Sequence, residues 1–248
     1  QDHIGDFSYG VRGNISTIKN KVTYIHETLD AIDGQSFHTY GAITRFEVGK
    51  PAWYFYGYKY TGIDEATGNP TFADLNDDNA ITEADKTMIG KGIADMTYGI
   101  TLTAAWKGLD LIVFGTGSYG AHIYSCLNRP DYTLNKLTYF VEDRWTPSHT
   151  KASMPRAGAT DMDKYYTSSA SVFDGSYFKI KQIQLGYTFP QKWMKTIKVS
   201  NLRVYASLDD FFTFSDYPGF DPEVTNMGVD KGTFPTSKKV VAGVSITF

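Results

Sequence analysis

Asp74, Asn76, Asp78, Ala80, Thr82 and Asp85 stand at positions 1, 3, 5, 7, 9 and 12 of a twelve-residue stretch, with the apolar Ile81 at position 8. Oxygen donors at this spacing suit calcium. Alternate side chains of a tightly curled loop turn inward, position 7 lends its carbonyl, and position 12 supplies a carboxylate. Two residues depart from the usual EF-hand-type loop: Asn79 stands where glycine makes the sharp turn, although asparagine tolerates the left-handed conformation, and Asp85 is one methylene shorter than the usual glutamate. The spacing predicts a calcium site; the plainer alternative is a solvated acidic turn.

A second pattern, Gly115-Thr116-Gly117-Ser118-Tyr119-Gly120, matches the glycine-rich turn that cradles a dinucleotide pyrophosphate. Its setting argues against that chemistry. The apolar strand before it follows another strand through the two-residue turn Lys107-Gly108 rather than a helical crossover, and Asp131 follows Pro130 instead of ending a second buried strand. Glycines in such a place ease strand pairing. The five histidines, His3, His26, His38, His122 and His149, show no ligand spacing, and Ser148-His149 has no partner acid in a recognisable setting. No catalytic constellation emerges, so an enzyme is not expected. A net charge of −3 without a basic stripe leaves nucleic acid an unexpected partner, and the single Cys126 rules out an internal disulfide.

The elements that must position these residues are strands. Aromatic residues make up 15% of the 248-residue chain and there are 23 glycines, while no run approaches the ~18 consecutive apolar residues of a membrane helix. The last stretch alternates: Val240, Ala242, Val244, Ile246 and Phe248 share one face, and Lys239, Gly243, Ser245 and Thr247 the other, interrupted by Val241. An edge strand with that apolar face and no protecting Pro needs a neighbour or a lipid phase. It reads as the closing strand of a transmembrane β-barrel, with the terminal Phe248 as the assembly signal. Residues 6–18 alternate in the same way; Lys19-Asn20-Lys21 reads as a tight turn and Val22–Leu29 as a returning strand. From about Asp30 to Ile93 the alternation dissolves, apart from the aromatic run at residues 53–60. Such a long connection is usually functional. Further strands are expected at 97–106, 109–119, 176–190 and 201–214, separated by one more short turn and by long stretches near 121–174 and after Phe214. The outward face of 97–106 begins on Tyr98 and ends on Trp106, roughly 20 Å apart along the membrane normal at ~3.3 Å per residue, which suits two aromatic girdles. Parity puts Gln182, Gln184, Thr188, Arg203 and Ser207 toward a lumen and Ile183, Leu185, Tyr187, Val204 and Leu208 toward lipid. Because barrels of this kind have short periplasmic turns and long external loops, the turn at Lys19–Lys21 is expected on the periplasmic side.

Phe55-Tyr56-Gly57-Tyr58 followed by Gly62-Ile63, Asp74 to Asn79 with Ile89-Gly90, Tyr98-Gly99, Gly115 to Gly120, Arg144-Trp145-Thr146-Pro147, Ser176 to Lys181, Leu185 to Pro190 and Gly219-Phe220-Asp221-Pro222-Glu223 occur in an order and spacing that resemble the SusC/RagA family of TonB-dependent outer-membrane transporters. The likeness runs over essentially the whole chain and matches the C-terminal third of that family. It implies an all-β fold in which residues 1–248 are the C-terminal portion, about seven antiparallel strands, of a large transmembrane β-barrel of about 22 strands with an N-terminal plug. Residues 30–96 would be a long external loop region carrying the loop at 74–85. The resemblance further implies TonB-energised import of an oligosaccharide or peptide across the outer membrane of a Gram-negative cell. The expected partners are a SusD-like surface lipoprotein, the TonB complex through the plug portion, the remainder of the same barrel and the lipid bilayer. Where the family usually has an amide, this chain has Asp209-Asp210; Asp210 would face outward, so a bulge or the membrane edge is expected there. The alternative from another class is a soluble, calcium-dependent β-sandwich that binds glycans.

Overall fold

The structure is a computed structural model that describes residues 2–128, 136–196, 198–224 and 227–248; Pro130 and Asp131, weighed above in the dinucleotide pattern, lie outside the described residues. Seven strands form one antiparallel sheet: β1 (Asp2–Ile4), β2 (Phe7–Thr17), β3 (Met96–Trp106), β4 (Leu109–Tyr119), β5 (Tyr177–Thr188), β6 (Asn201–Ser215) and β7 (Lys239–Thr247). Their order in the sheet is their order in the chain, an up-and-down meander.

Period-two alternation becomes a two-faced wall because the register lines the apolar positions up. Val11, Leu102, Val113, Ile183, Leu208 and Val240 are successive cross-strand partners, so one row of apolar side chains crosses six strands. Leu102, Leu185 and Val244 on this face are exposed, at 43%, 53% and 64%. A stripe of that size, left bare in water, would drive association. Among the described residues no second sheet covers it, as the core of a sandwich would require. Rings border the stripe at both ends. Tyr98, Phe178 and Phe214 stack across β3, β5 and β6, with centroids 6.1 and 6.3 Å apart. At the opposite end Tyr187 and Phe189 meet at 5.0 Å and Phe189 approaches Trp193 at 6.4 Å, while Phe7 pairs with Trp106. An apolar band between two aromatic belts is the outer surface of a membrane barrel.

Gln182, Gln184, Thr188, Arg203 and Ser207 take the other face, as parity predicts, together with Asp110 and Tyr205. Gly117, from the glycine-rich pattern, lies beneath the Tyr98 ring, where a Cβ would come within 2.2 Å of Cζ. β4 runs on to Tyr119 with no helix after it. The pattern therefore serves ring packing on a strand, and the dinucleotide reading fails.

Two regions differ from the sequence expectation. Val22–Leu29 is not a wall strand: β2 pairs directly with β3, Thr17 opposite Met96, and Val22 exchanges backbone hydrogen bonds with Gly49 and Lys50 instead. Its weak alternation offers neither a clean apolar face nor a partner in register. β2 therefore runs in the opposite direction to that expected, and Lys19-Asn20-Lys21 lies at the end of the sheet where the long connections leave. The seventh strand is the short β1, which pairs with β2 through a turn at Gly5, φ 61°. The turn between β3 and β4, with Lys107 at φ 46° and Gly108 at φ 90°, is the left-handed two-residue hairpin whose twist matches the strands it joins.

The second difference is that the described parts of the long connections are folded together. Residues 18–95, 120–176 and 216–238 all leave the same end of the wall and share one core. Phe37, Ile43 and Phe55 come from the first, Tyr124, Cys126, Phe140, Tyr165 and Tyr166 from the second, and Val229 from the third. The aromatic run sits in a strand, Tyr54–Tyr58, of a four-stranded sheet with Ala31–Asp33, Thr44–Glu47 and Lys86–Lys91. It lies in the loop region, outside the wall. Val229–Asp230 adds to His122–Ser125 and Val172–Asp174 in a three-stranded sheet, so the third connection is stitched into the second by backbone hydrogen bonds.

Candidate functional site

The inner face of the wall is polar, and two ion-pair groups dominate it. Near the short-turn end, Arg203 on β6 donates from Nε to Asp110 Oδ1 on β4 at 3.0 Å and from Nη2 to Oδ2 at 2.5 Å. The pair spans β5 by passing over Gly186, where a Cβ would lie 2.4 Å from the guanidinium and 2.6 Å from the carboxylate. The Leu185-Gly186-Tyr187 step therefore needs glycine: any side chain would part the fork that ties three strands together.

The second group lies where the wall meets the folded connections, and two sequence motifs converge on it. Lys179 on β5 is buried, and its ammonium donates to both Asp221 oxygens at 3.0 and 3.1 Å and to Glu223 Oε2 at 2.8 Å. Lys181 bonds the same Glu223 oxygen and forms an ion pair with Asp210 at 3.2 Å. Strict alternation carried upward from Ile183 would point Lys179 into lipid. A bulge prevents this: β5 and β6 shift register between Ile180 and Gln182, and β4 and β5 shift beside Phe114 and Gly115. The shift turns Phe178 outward into the aromatic belt and Lys179 inward. Asp210, at φ 58°, occupies the extra position in β6 and reaches Lys181, so the expected bulge at Asp209-Asp210 is present. Burial alone would raise the Asp221 carboxyl, but backbone N–H groups of Glu223 and Thr236 and the Lys179 ammonium outweigh it and hold its pKa down to about 2. Glu223 is lowered in the same way, its burial outweighed by Lys179 and Lys181. These charges clamp the third connection onto the wall, and beside them a cavity of about 240 Å³ opens among Ser118, His122, Tyr177 and Glu223. The sequence showed both motifs and the bulge at Asp209-Asp210; that the bulge brings the motifs together is a contact between residues 42 positions apart, which no local pattern records.

The twelve-residue loop is held by local hydrogen bonds. Asp74 accepts backbone N–H groups from Asp78 at 3.3 Å and Asn79 at 2.7 Å, and Asn79 is left-handed at φ 62°. The Asn76 amide donates to Asp78 at 2.8 Å. Asp85 is fully buried and accepts from the N–H of Thr82 at 2.7 Å and of Leu75 at 2.8 Å, closing the loop. Those two backbone bonds, Thr82 first, lower its pKa. Thr82 caps the short turn Glu83–Asp85. Among the described residues no three His, Cys, Asp or Glu side chains converge closely enough to hold a metal ion by themselves. A cation here would depend also on the Asn76 amide and the Ala80 carbonyl, which are the neutral oxygens that calcium accepts.

A meander with an apolar outer face between ring belts, an ion-paired inner face, tight turns at one end and folded loops at the other is a segment of a large membrane β-barrel, and its fold matches a fragment of a TonB-dependent β-barrel. No family model matches the chain. It is 29% identical to the TonB-dependent receptor P3 of Formosa agariphila, over 98% of this chain and 27% of that protein. It is 26% identical to the TonB-dependent receptor SusC of Bacteroides thetaiotaomicron, over 98% of this chain and 25% of that protein. The solved structure of the RagAB peptide transporter superposes with a TM-score of 0.84 and 23% identity, over the whole of this chain and 28% of that one. The resemblance to SusC and RagA drawn from the motifs is thus met by relatives and fold alike, and these relatives are receptors and transporters. The chain spans about a quarter of the length of the curated relatives it matches.

Proposed function

We propose that this chain is a part of the wall, with its external vestibule, of a TonB-energised importer in the outer membrane of a Gram-negative cell. The importer takes up an oligosaccharide or peptide with the help of a SusD-like surface lipoprotein. The observation that carries the reading is the shared core of the three long connections. A folded, aromatic-rich roof with a core of its own on one end of a barrel offers a lipoprotein a docking surface at less entropic cost than loops without a core. No chemistry on the substrate is called for. Purifying the whole barrel from outer membranes in mild detergent should bring a lipoprotein down with it in equal amount. Recovery of the barrel alone from membranes containing that lipoprotein sinks the partnership, and a chain that stays monodisperse in detergent-free buffer sinks the membrane reading.

Within that roof, Asp74, Asn76, Asp78, Ala80, Thr82 and Asp85 are proposed to hold calcium, which would offset the repulsion among the three carboxylates and stiffen the span leading to β3. Asp74→Ala or Asp78→Ala should raise proteolysis within residues 74–85 in calcium buffer and leave the barrel folded. Equal protection of wild-type protein in calcium and in excess chelator would return the loop to a solvated acidic turn.

Phe248 is proposed to act in assembly. It is 88% exposed at the short-turn end, far from the roof. Deleting it should lower the amount of folded barrel in the membrane several-fold and leave ligand affinity of the assembled fraction unchanged; normal surface levels would remove the assignment.

A further inference from the structure

The motif Arg144-Trp145-Thr146-Pro147 has no part in the wall or in the charge clamp. It sits in the roof. Trp145 donates from Nε1 to the Glu65 carbonyl at 3.0 Å and packs against Gly68, pinning the second connection to the first. Arg144, next to it, is held 5.6 Å from the Phe140 ring centroid. It lines a cavity of about 590 Å³ with Lys136, Arg156, Tyr40, Phe140 and Tyr166. That volume suits a few monomer units of a small ligand.

Arg144 and Arg156 line the cavity with Lys136, which has a partner of its own, and among the described residues no Asp or Glu does. Neither Arg144 nor Arg156 forms an ion pair among the described residues, and Arg144 Nε is buried there without a hydrogen-bond partner. An unpartnered buried guanidinium donor carries a desolvation cost that a carboxylate would remove, and arginine binds carboxylate through two parallel N–H groups. The walls beside it are rings: Tyr40 and Tyr166 lie 5.9 Å apart at 47°. Flat apolar faces flanking a cationic centre fit a ligand that has both an acid group and a face or chain to lay on the rings.

We infer that the cavity bounded by Arg144, Arg156, Tyr40 and Tyr166 binds the carboxylate of an acidic oligomer, and this deepens the import reading above by naming the substrate's chemistry. The carboxylate could be that of a uronic acid or of a peptide, and the two sources are separable by titration. The whole purified barrel would be titrated in detergent, at low salt, with a uronic-acid tetrasaccharide, with its neutral tetrasaccharide counterpart, with an acidic pentapeptide and with the same peptide fully amidated. One of the two acids should bind at least ten-fold more tightly than its neutral counterpart, and whichever does identifies the source. Arg144→Gln and Arg156→Gln should each lower that affinity ten-fold or more. Arg156→Gln keeps the test open if Arg144→Gln does not fold. Equal binding of acid and neutral ligands, no binding of either acid, or unchanged affinity in a folded Arg156→Gln protein overturns the site. Because the readout is binding, it is independent of energised uptake: an acid that binds through these arginines but is never imported by cells would defeat the import reading and leave the site standing.

Discussion

Replacing Lys179 with Met should loosen the third connection from the wall and cost about 3 kcal/mol, the lower part of the range for removing one partner of a buried ion pair. Lys179 is only 3% exposed on its side chain and Asp221 11%, so the carboxylate left behind has little water to turn to. The cost stays below the upper end of the range because Lys181 still holds Glu223. The expected readout is faster hydrogen exchange and new protease cuts across residues 216–238, with the wall strands still protected. A double variant, Lys179→Met with Asp221→Leu, should recover part of the loss, since it removes the stranded charge. Unchanged exchange in Lys179→Met would show that Val229–Asp230, paired beside His122–Ser125, is anchor enough without the clamp. The same clamp sets an acid limit. Asp221 has a folded pKa of about 2, below its ordinary 3.8, so its contribution is complete above the ordinary value and is lost as pH falls through about 2. Protection of residues 216–238 should therefore hold at pH 5 and fail between about pH 4 and pH 2. Loss already at pH 6 would contradict the depressed value.

Arginine in place of Leu102 should destabilise the barrel in lipid by about 2 to 4 kcal/mol, the cost of that charge near the bilayer midplane. Leu102 lies halfway along β3 between the outward rings Tyr98 and Trp106, and its row runs through Val113, Ile183 and Leu208. Leu185→Arg, one outward position nearer the Tyr187 belt, should cost less. Thr103→Arg, next in the chain and on the inner face, should cost little. Denaturation from lipid vesicles would rank the three, and an equal penalty at Leu102 and Thr103 would show that the outer and inner faces have been exchanged.

The sequence by itself determined the wall. Six of its strands could be read from alternation alone, because a lipid-facing strand must repeat its apolar residues at every second position and the pleat allows no other arrangement. The bonds that hold the turn from Asp74 to Asp85 are likewise local, between residues a few positions apart. Only the tertiary structure decided which way β2 runs. Val22–Leu29 is apolar enough to suggest a strand, but strand pairing is a contact with distant partners, and β3 satisfies β2 before that segment can. The roof was hidden for a related reason. Phe37, Tyr124, Tyr166 and Val229 come from three connections that each lack a sustained period, and they form a core only when brought together. Lys179 is the sharpest case. Its parity points to lipid, and a single extra residue in the β5 and β6 ladders turns it inward to Asp221, 42 positions away. Periodicity records a local geometry, whereas a bulge breaks that geometry at one residue, and what stabilises the break here is a charge contact that only the folded chain contains.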